Sequence, residues 1–375
     1  FTPLGGQENA VFWYQQRRNS TFANHQLAKA QQQLPYYPHR DGTFYYHKYR
    51  LEVATFELQG TQVRSSQTNL QPILDNLEHH FALQLLRWSC TALTHQNVYK
   101  AQYELPLIEA VLAKAQAGTY DTHPTIPVYY NAYGCLPTPD QHSYFDVLKA
   151  QLRHAALPLP TNELRSLFLI AINYCIKRLN REVGTLFLRE LFELYQAALE
   201  REVLLEEGYL SPFSYANINA SALRLQEFAW SAQFIEAYAP LLRPTVRQAY
   251  HYHATAKLAF AQADYDRAQD LLLNSDYSDV LLTIDARIML LKIYYARDQQ
   301  DLLEALLVSL SRYLERQKML SYHKENYRNI IRLVRRLLYL APFDTTGQKK
   351  WQQDVQNTHP LTERTWLLTQ LQALR

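Results

Sequence analysis

Histidine, carboxylate and cysteine side chains are the residues of this chain whose types could support catalysis or hold a metal, and their spacing decides what they can do. The thirteen His include two close groups, His79-His80 and His251-Tyr252-His253. A zinc-like ion needs three or four such ligands converging on it, whereas residues one or two apart on a helix leave it in different directions. Core or surface histidines are expected. The carboxylates Glu202, Glu206 and Glu207, and Asp276 with Asp279, could supply an acid and a base. No nucleophile, oxyanion donor or Gly-rich approach accompanies them, so they read as solvated faces. Cys175 lies in the apolar run Ala171-Ile172-Asn173-Tyr174-Cys175-Ile176 and reads as a small core residue. The patterns GxSxG, GxxxxGK[ST], GxGxxG and HExxH are all absent from the sequence, which removes the commonest nucleophile, phosphate and zinc sites. No catalytic residue, no cofactor and no metal is expected.

One charged pattern stands out. Arg328, Arg332, Arg335 and Arg336 fall within about a quarter turn of one another at helical spacing, opposite Ile330, Val334 and Leu337. With Lys318, Lys324, Lys349 and Lys350 nearby, this basic face could meet phosphates. It could equally be a solvated face paired to acidic neighbours.

Whatever these residues do, helices must position them. Apolar residues recur at spacings of three and four almost throughout, which is the helical period. Only nine Gly occur in 375 residues, too few for Gly-rich loops and tight hairpins. The 47% hydrophobic share, with 28 Tyr, supplies ample surface for helix–helix burial. Breaks at Gly60, between Gly118 and Pro160 (Pro139 among them), at Gly208 to Pro212 and at Pro244 leave room for about fifteen helices. Asp41, Thr161 with Glu163, Ser211 before Pro212, and Thr362 mark helix starts. Further helix pairs are expected over 163–179 with 184–205, and 321–340 with 361–374. The organisation expected is helical hairpins over 1–117, an irregular Pro-rich connection over 118–160, and a helical array over 161–375.

The net charge of +3 implies neither nucleic acid nor a membrane surface. Three cysteines without a CxxC pair suit a reducing, cytoplasmic setting, and no apolar stretch reaches the ~20 residues of a membrane span. The chain begins at Phe1 with no charged-then-apolar leader, so a processed or truncated form is expected.

An internal repeat is visible between Ala220 and Leu310. At a period of 35 residues, Leu223, Leu258 and Ile293 match in type, as do Leu225, Phe260 and Tyr295; Ala237, Leu272 and Leu307; and Tyr238, Leu273 and Val308. The segment His253 to Ala268 resembles the middle of a tetratricopeptide repeat: Ala256 stands at the small position of the first helix, Asp264-Tyr265 at the turn, and Ala268 at the small position opening the second. Trp230 answers Tyr265 one repeat earlier. Leu291, Gln233 and Gln300 depart from the pattern. The resemblance implies an all-α fold, an α-solenoid of antiparallel helix pairs that is tetratricopeptide-like in the C-terminal half, whose groove holds a protein or peptide partner. On that reading the chain is a non-enzymatic scaffold or adaptor. Polar positions on first helices, Asn217, Arg224, His253, Lys257, Arg287 and Lys292, are the candidate partner-binding residues. The alternative is a nucleic-acid-associated or regulatory protein using the face from Arg328 to Arg336.

Overall fold

The computed structural model describes residues 3–59, 68–99, 101–137, 142–153, 157–180, 186–275, 277, 279–317 and 321–373. Gly60, Pro139, Gly184, Asp276, Lys318 and residue 374, singled out above, lie outside the described residues. The protein is all-α: the described residues form 18 α-helices, and their β-structure is confined to two short strands, Leu205–Glu206 and Tyr209–Leu210. The chain divides into two compact units, Phe1–Glu207 and Gly208–Arg375.

The first unit contains α1 (Pro3–Gln16), α2 (Ser20–Gln33), α3 (Gly42–Gln59), α4 (Leu70–Tyr99), α5 (Ile108–Gln116), α6 (Ile126–Gly134), α7 (His142–Arg153), α8 (Thr161–Leu179) and α9 (Leu186–Glu200). The Pro-rich stretch 118–160, expected as an irregular connection, thus carries two helices. Pro127 sits where a helix tolerates it, in the first turn of α6, where a missing N–H costs nothing. α6 packs on α4, α7 and α8. Asp41 is the expected cap, its Oδ1 accepting from Phe44 N at 2.9 Å. Glu163 is no cap; it is buried, with Arg87 Nη1 3.0 Å from its Oε1 and the Tyr129 hydroxyl donating to its Oε2.

The second unit contains α10 (Pro212–Arg224), α11 (Phe228–Tyr238), α12 (Pro244–Ala261), α13 (Tyr265–Leu273), α14 (Val280–Ala296), α15 (Gln300–Arg316), α16 (Ser321–Leu338), α17 (Thr345–Asn357) and α18 (Arg364–Ala373). α17 intervenes in the expected pairing of 321–340 with 361–374. Neighbours in sequence pack together, and α12 also touches α10 and α14. Thr362 engages Asn326 of α16 through two hydrogen bonds, of 3.1 and 2.8 Å.

Three turns in this unit share one construction. Gln226, Ala263 and Asp298 take left-handed backbone, with φ of 61°, 60° and 54°. The next N–H in each case reaches back to a carbonyl five residues earlier: Glu227 to Ala222, Asp264 to Ala259, Gln299 to Tyr294, all at 2.9 Å. This is the Schellman closure, which satisfies carbonyls that a helix end leaves without donors. The following residue then begins the next helix.

These turns lie 37 and then 35 residues apart, so the period of 35 holds between the second and third copies only. Aligned on its turn, the first copy shifts by two residues, and Phe228 rather than Trp230 stands with Tyr265. The extra residues lie within the helices: α11 and α12 have 11 and 18 residues, against 9 and 17 in α13 and α14. The aligned register puts Asn219 and Ser231 where Ala256 and Ala268 sit, and Leu291 and Leu303 one copy later. All six are buried. Two helices cross closely where side chains are short. The first pair achieves this with a hydrogen bond, Ser231 Oγ donating to Asn219 Oδ1 at 2.6 Å.

Two outcomes check this account. Ser231→Ala leaves a buried acceptor unsatisfied and should cost about 1–3 kcal/mol, whereas adding Asn219→Ala recreates the Ala256/Ala268 arrangement and should restore at least half of that in urea unfolding. Ala263→Gly relieves left-handed strain at a non-glycine residue and should stabilise by roughly 0.5–1 kcal/mol, seen as a raised urea midpoint with an unchanged slope.

Candidate functional site

The proposed partner-binding residues do not all share a face. On α12, His253 and Lys257 are one turn apart and both meet Asp285 of α14, His253 Nε2 at 3.0 Å and Lys257 Nζ at 2.6 Å from the same Oδ2. Lys292, seven residues after Asp285 and therefore on the same side of α14, reaches Glu363 Oε2 at 2.6 Å and lies 5.8 Å from the Trp366 ring centroid. Lys257 and Lys292 occupy the same place in successive copies, and each bridges to a carboxylate in a later segment. Arg287 is turned away: two residues from Asp285, it stacks over Tyr313 of α15 at 4.4 Å. Asn217 and Arg224 are exposed on α10, seven residues apart and so on one side of it.

Burial sets the protonation of this cluster. It would raise the Asp285 carboxyl, but the Lys257 ammonium and the His253 ring overcome it and hold the group well below the usual carboxylate range. Burial pushes the His253 imidazole down, against the pull of Asp285, so the ring is neutral at pH 7. Tyr327 of α16 is pushed up to about 12, first by burial and then by the Asp285 and Glu363 carboxylates. Asp285, Tyr327, Glu363 and Trp366 were not among the residues the sequence pointed to. The seven-residue spacing of Asp285 and Lys292 was the one signal that could have found the first of them.

The arginine face is engaged within the unit. Ile330, Val334 and Leu337 are buried on the opposite side, as expected. Arg328 pairs with Glu315 at 2.7 Å, Arg332 and Arg336 share Asp354 of α17, and Arg335 Nη2 donates to the Leu307 carbonyl at 3.5 Å. Lys324 adds to Glu315 at 3.5 Å, while Lys349 and Lys350 are exposed.

Among the other candidates, Asp279 caps α14, accepting from Leu282 N at 2.7 Å, Glu202 holds a left-handed turn, and Glu206 pairs with Arg165. His80 Nδ1 contacts the Gly42 carbonyl at 2.7 Å, and His251 contacts Glu236 at 3.2 Å. Cys175 is fully buried, and burial pushes its thiol up. Among the described residues no three metal-ligating side chains gather into one group, and no helix is long and apolar enough to cross a membrane. No protein-family model, curated protein or solved structure matches the chain, so the site's own chemistry has to carry the reading.

The Lys257 cluster has a pH signature. A carboxyl whose folded pKa is depressed contributes stability that is complete above its unfolded value, near 3.8, and lost as pH falls toward the folded one. Lys257→Met should therefore lower stability at pH 7, and the deficit should shrink below about pH 4, measured as denaturant unfolding across that range. Because 43% of the Asp285 side chain reaches solvent, the deficit should be small and salt-sensitive.

Proposed function

We propose that the protein is a non-enzymatic helical-repeat scaffold or adaptor of the cytoplasm. Its C-terminal unit is read as stacked antiparallel helix pairs of tetratricopeptide-like kind, and the first-helix face of α10, α12 and α14 takes a protein or peptide segment. The observation that carries this reading is the recurrence of one lysine in consecutive copies, Lys257 to Asp285 and Lys292 to Glu363. It runs a line of half-buried charge along that face, beside Tyr327 and Trp366. Such a line suits an extended chain: its carboxylates compete for the lysines, and its side chains lie against Trp366. The three Schellman turns support the stacking, because equal turns repeat equal helix placements. Arg332 and Arg336 already share a carboxylate, which weighs against a polyanion surface there.

Asn217 and Arg224 test the reading most cleanly, since both are exposed on α10. A photo-crosslinking amino acid at either position in the full chain should trap a protein partner in cells, while one at exposed Glu104 should not. Binding of that purified partner should weaken at least about tenfold, roughly 1.4 kcal/mol, in the Asn217→Glu/Arg224→Glu double variant, with unchanged thermal melting. If Arg332→Glu/Arg336→Glu abolishes binding instead, and binding falls steeply with salt, the face from Arg328 to Arg336 is the functional one. Turnover of a small molecule by the pure chain would overturn the scaffold reading.

A further inference from the structure

The first unit contains a cavity of about 420 Å³ between α4 and α8, with Tyr129 of α6 in its lining. α6 is short beside α4: its nine residues cover about 14 Å, against about 45 Å for the 30 residues of α4. Among the described residues, Tyr129 is the one lining residue that comes from outside α4 and α8. The cavity lies at the small end of the roughly 300–1,000 Å³ that ligand pockets occupy.

Its chemistry is asymmetric. Leu167 and Ile170 form apolar walls, and Trp88, Tyr99 and Leu169 expose 60%, 70% and 37% of their surface at the rim. The His95 ring stacks on Tyr99, with centroids 4.5 Å apart. The hydroxyls of Thr91, Thr94 and Ser166 donate back to carbonyls of their own helices, at 3.1, 2.8 and 3.0 Å. Arg87 is the lining's charged donor. Its Nη1 is held 3.0 Å from Glu163 Oε1, and its other N–H groups make no hydrogen bond among the described residues. Both Glu163 oxygens carry a donor, Arg87 on one and the Tyr129 hydroxyl on the other. The pair carries no net charge, so an incoming carboxylate is held by hydrogen bonds from the remaining N–H groups of Arg87, whose side chain is one-third exposed, and not by an excess of positive charge.

We propose that this cavity binds a small planar aromatic acid, its ring against Trp88 and the Leu169–Ile170 wall and its carboxylate on the uncommitted edge of Arg87. An apolar slot lined by aromatic rings selects a flat ring. Glu163 fixes one arm of the guanidinium, and the planar fork of its remaining N–H groups matches the two oxygens of a carboxylate. The site is in the other unit from the partner-binding face and stands independently of the scaffold reading.

The full chain labelled with 5-fluorotryptophan tests this by ¹⁹F NMR, with the Trp88 resonance assigned through Trp88→Phe. Indole-3-acetate should shift that resonance saturably. 3-Methylindole, the same ring without the carboxylate, should bind at least tenfold more weakly, and cyclohexylacetate, the acid without the flat ring, should leave it unmoved. Leu169→Glu at the rim should abolish the shift with unchanged melting temperature. Arg87→Lys, which keeps the charge beside Glu163 but loses the fork, should weaken indole-3-acetate and leave 3-methylindole unaffected. No saturable shift up to the solubility of indole-3-acetate overturns the proposal. So does equal binding of 3-methylindole, or binding undiminished by Leu169→Glu.

Discussion

A helix end strands several backbone carbonyls, and a chain built almost entirely of helices must solve that problem at every reversal. Here one solution recurs: a single left-handed residue whose own and following N–H groups fold back onto the helix just finished. It closes the turns at Gln226, Ala263 and Asp298, and again at Arg18 and Gly118, where Asn19 and Thr119 reach back to Tyr14 and Lys114 at 3.0 and 3.1 Å. Counted from these turns, Asn219, Ala256 and Leu291 stand at the same position, and all three are buried. Glycine would take this backbone with least strain, yet only Gly118 among these turns uses it.

That economy explains what was readable and what was not. Helical class followed from apolar spacing, and the pair Ala256/Ala268 was legible because alanine in a close crossing has a steric reason. The first copy was misregistered because its turn is marked by Gln226, an ordinary residue carrying no signal of left-handed backbone. An apparent match at 35 residues arose between amphipathic helices for which any near-whole number of turns agrees. Asn219 and Ser231 escaped notice for a related reason: a polar pair does the work of two alanines only when one hydroxyl finds one amide oxygen, and side-chain direction is not written in residue type. α6 and α7 were hidden by prolines that fall at helix starts and between helices.

The candidate faces show why counting charges is a poor guide to function. Four arginines on one face of α16 look like a polyanion site in one dimension, but Glu315 and Asp354 come from α15 and α17, whose approach no local pattern announces. Once those carboxylates arrive, the face becomes glue between neighbouring helices, worth little per pair because it is exposed to solvent and salt. Lys257 and Lys292 differ in degree. Each is less exposed than Arg332 or Arg336, but Asp285 stays 43% exposed, so the Lys257 pair is weak and salt-sensitive too, whereas Lys292 meets a Glu363 that is 22% exposed.

Arg87 and Glu163 press the same distinction further. A carboxylate almost wholly removed from water costs more to bury than its attraction to one guanidinium returns, unless further donors complete it. Tyr129 supplies such a donor from α6. Apolar residues of similar size often join helices as stably as a buried ion pair does, so stability alone does not account for an ion pair in the lining of this cavity. What the triad does supply is direction: Glu163 fixes one arm of the guanidinium, Tyr129 fixes Glu163, and the remaining N–H groups are left oriented without a protein acceptor. A side chain held in that way, in a cavity also lined by Trp88 and Leu169, is preorganised for a further acceptor.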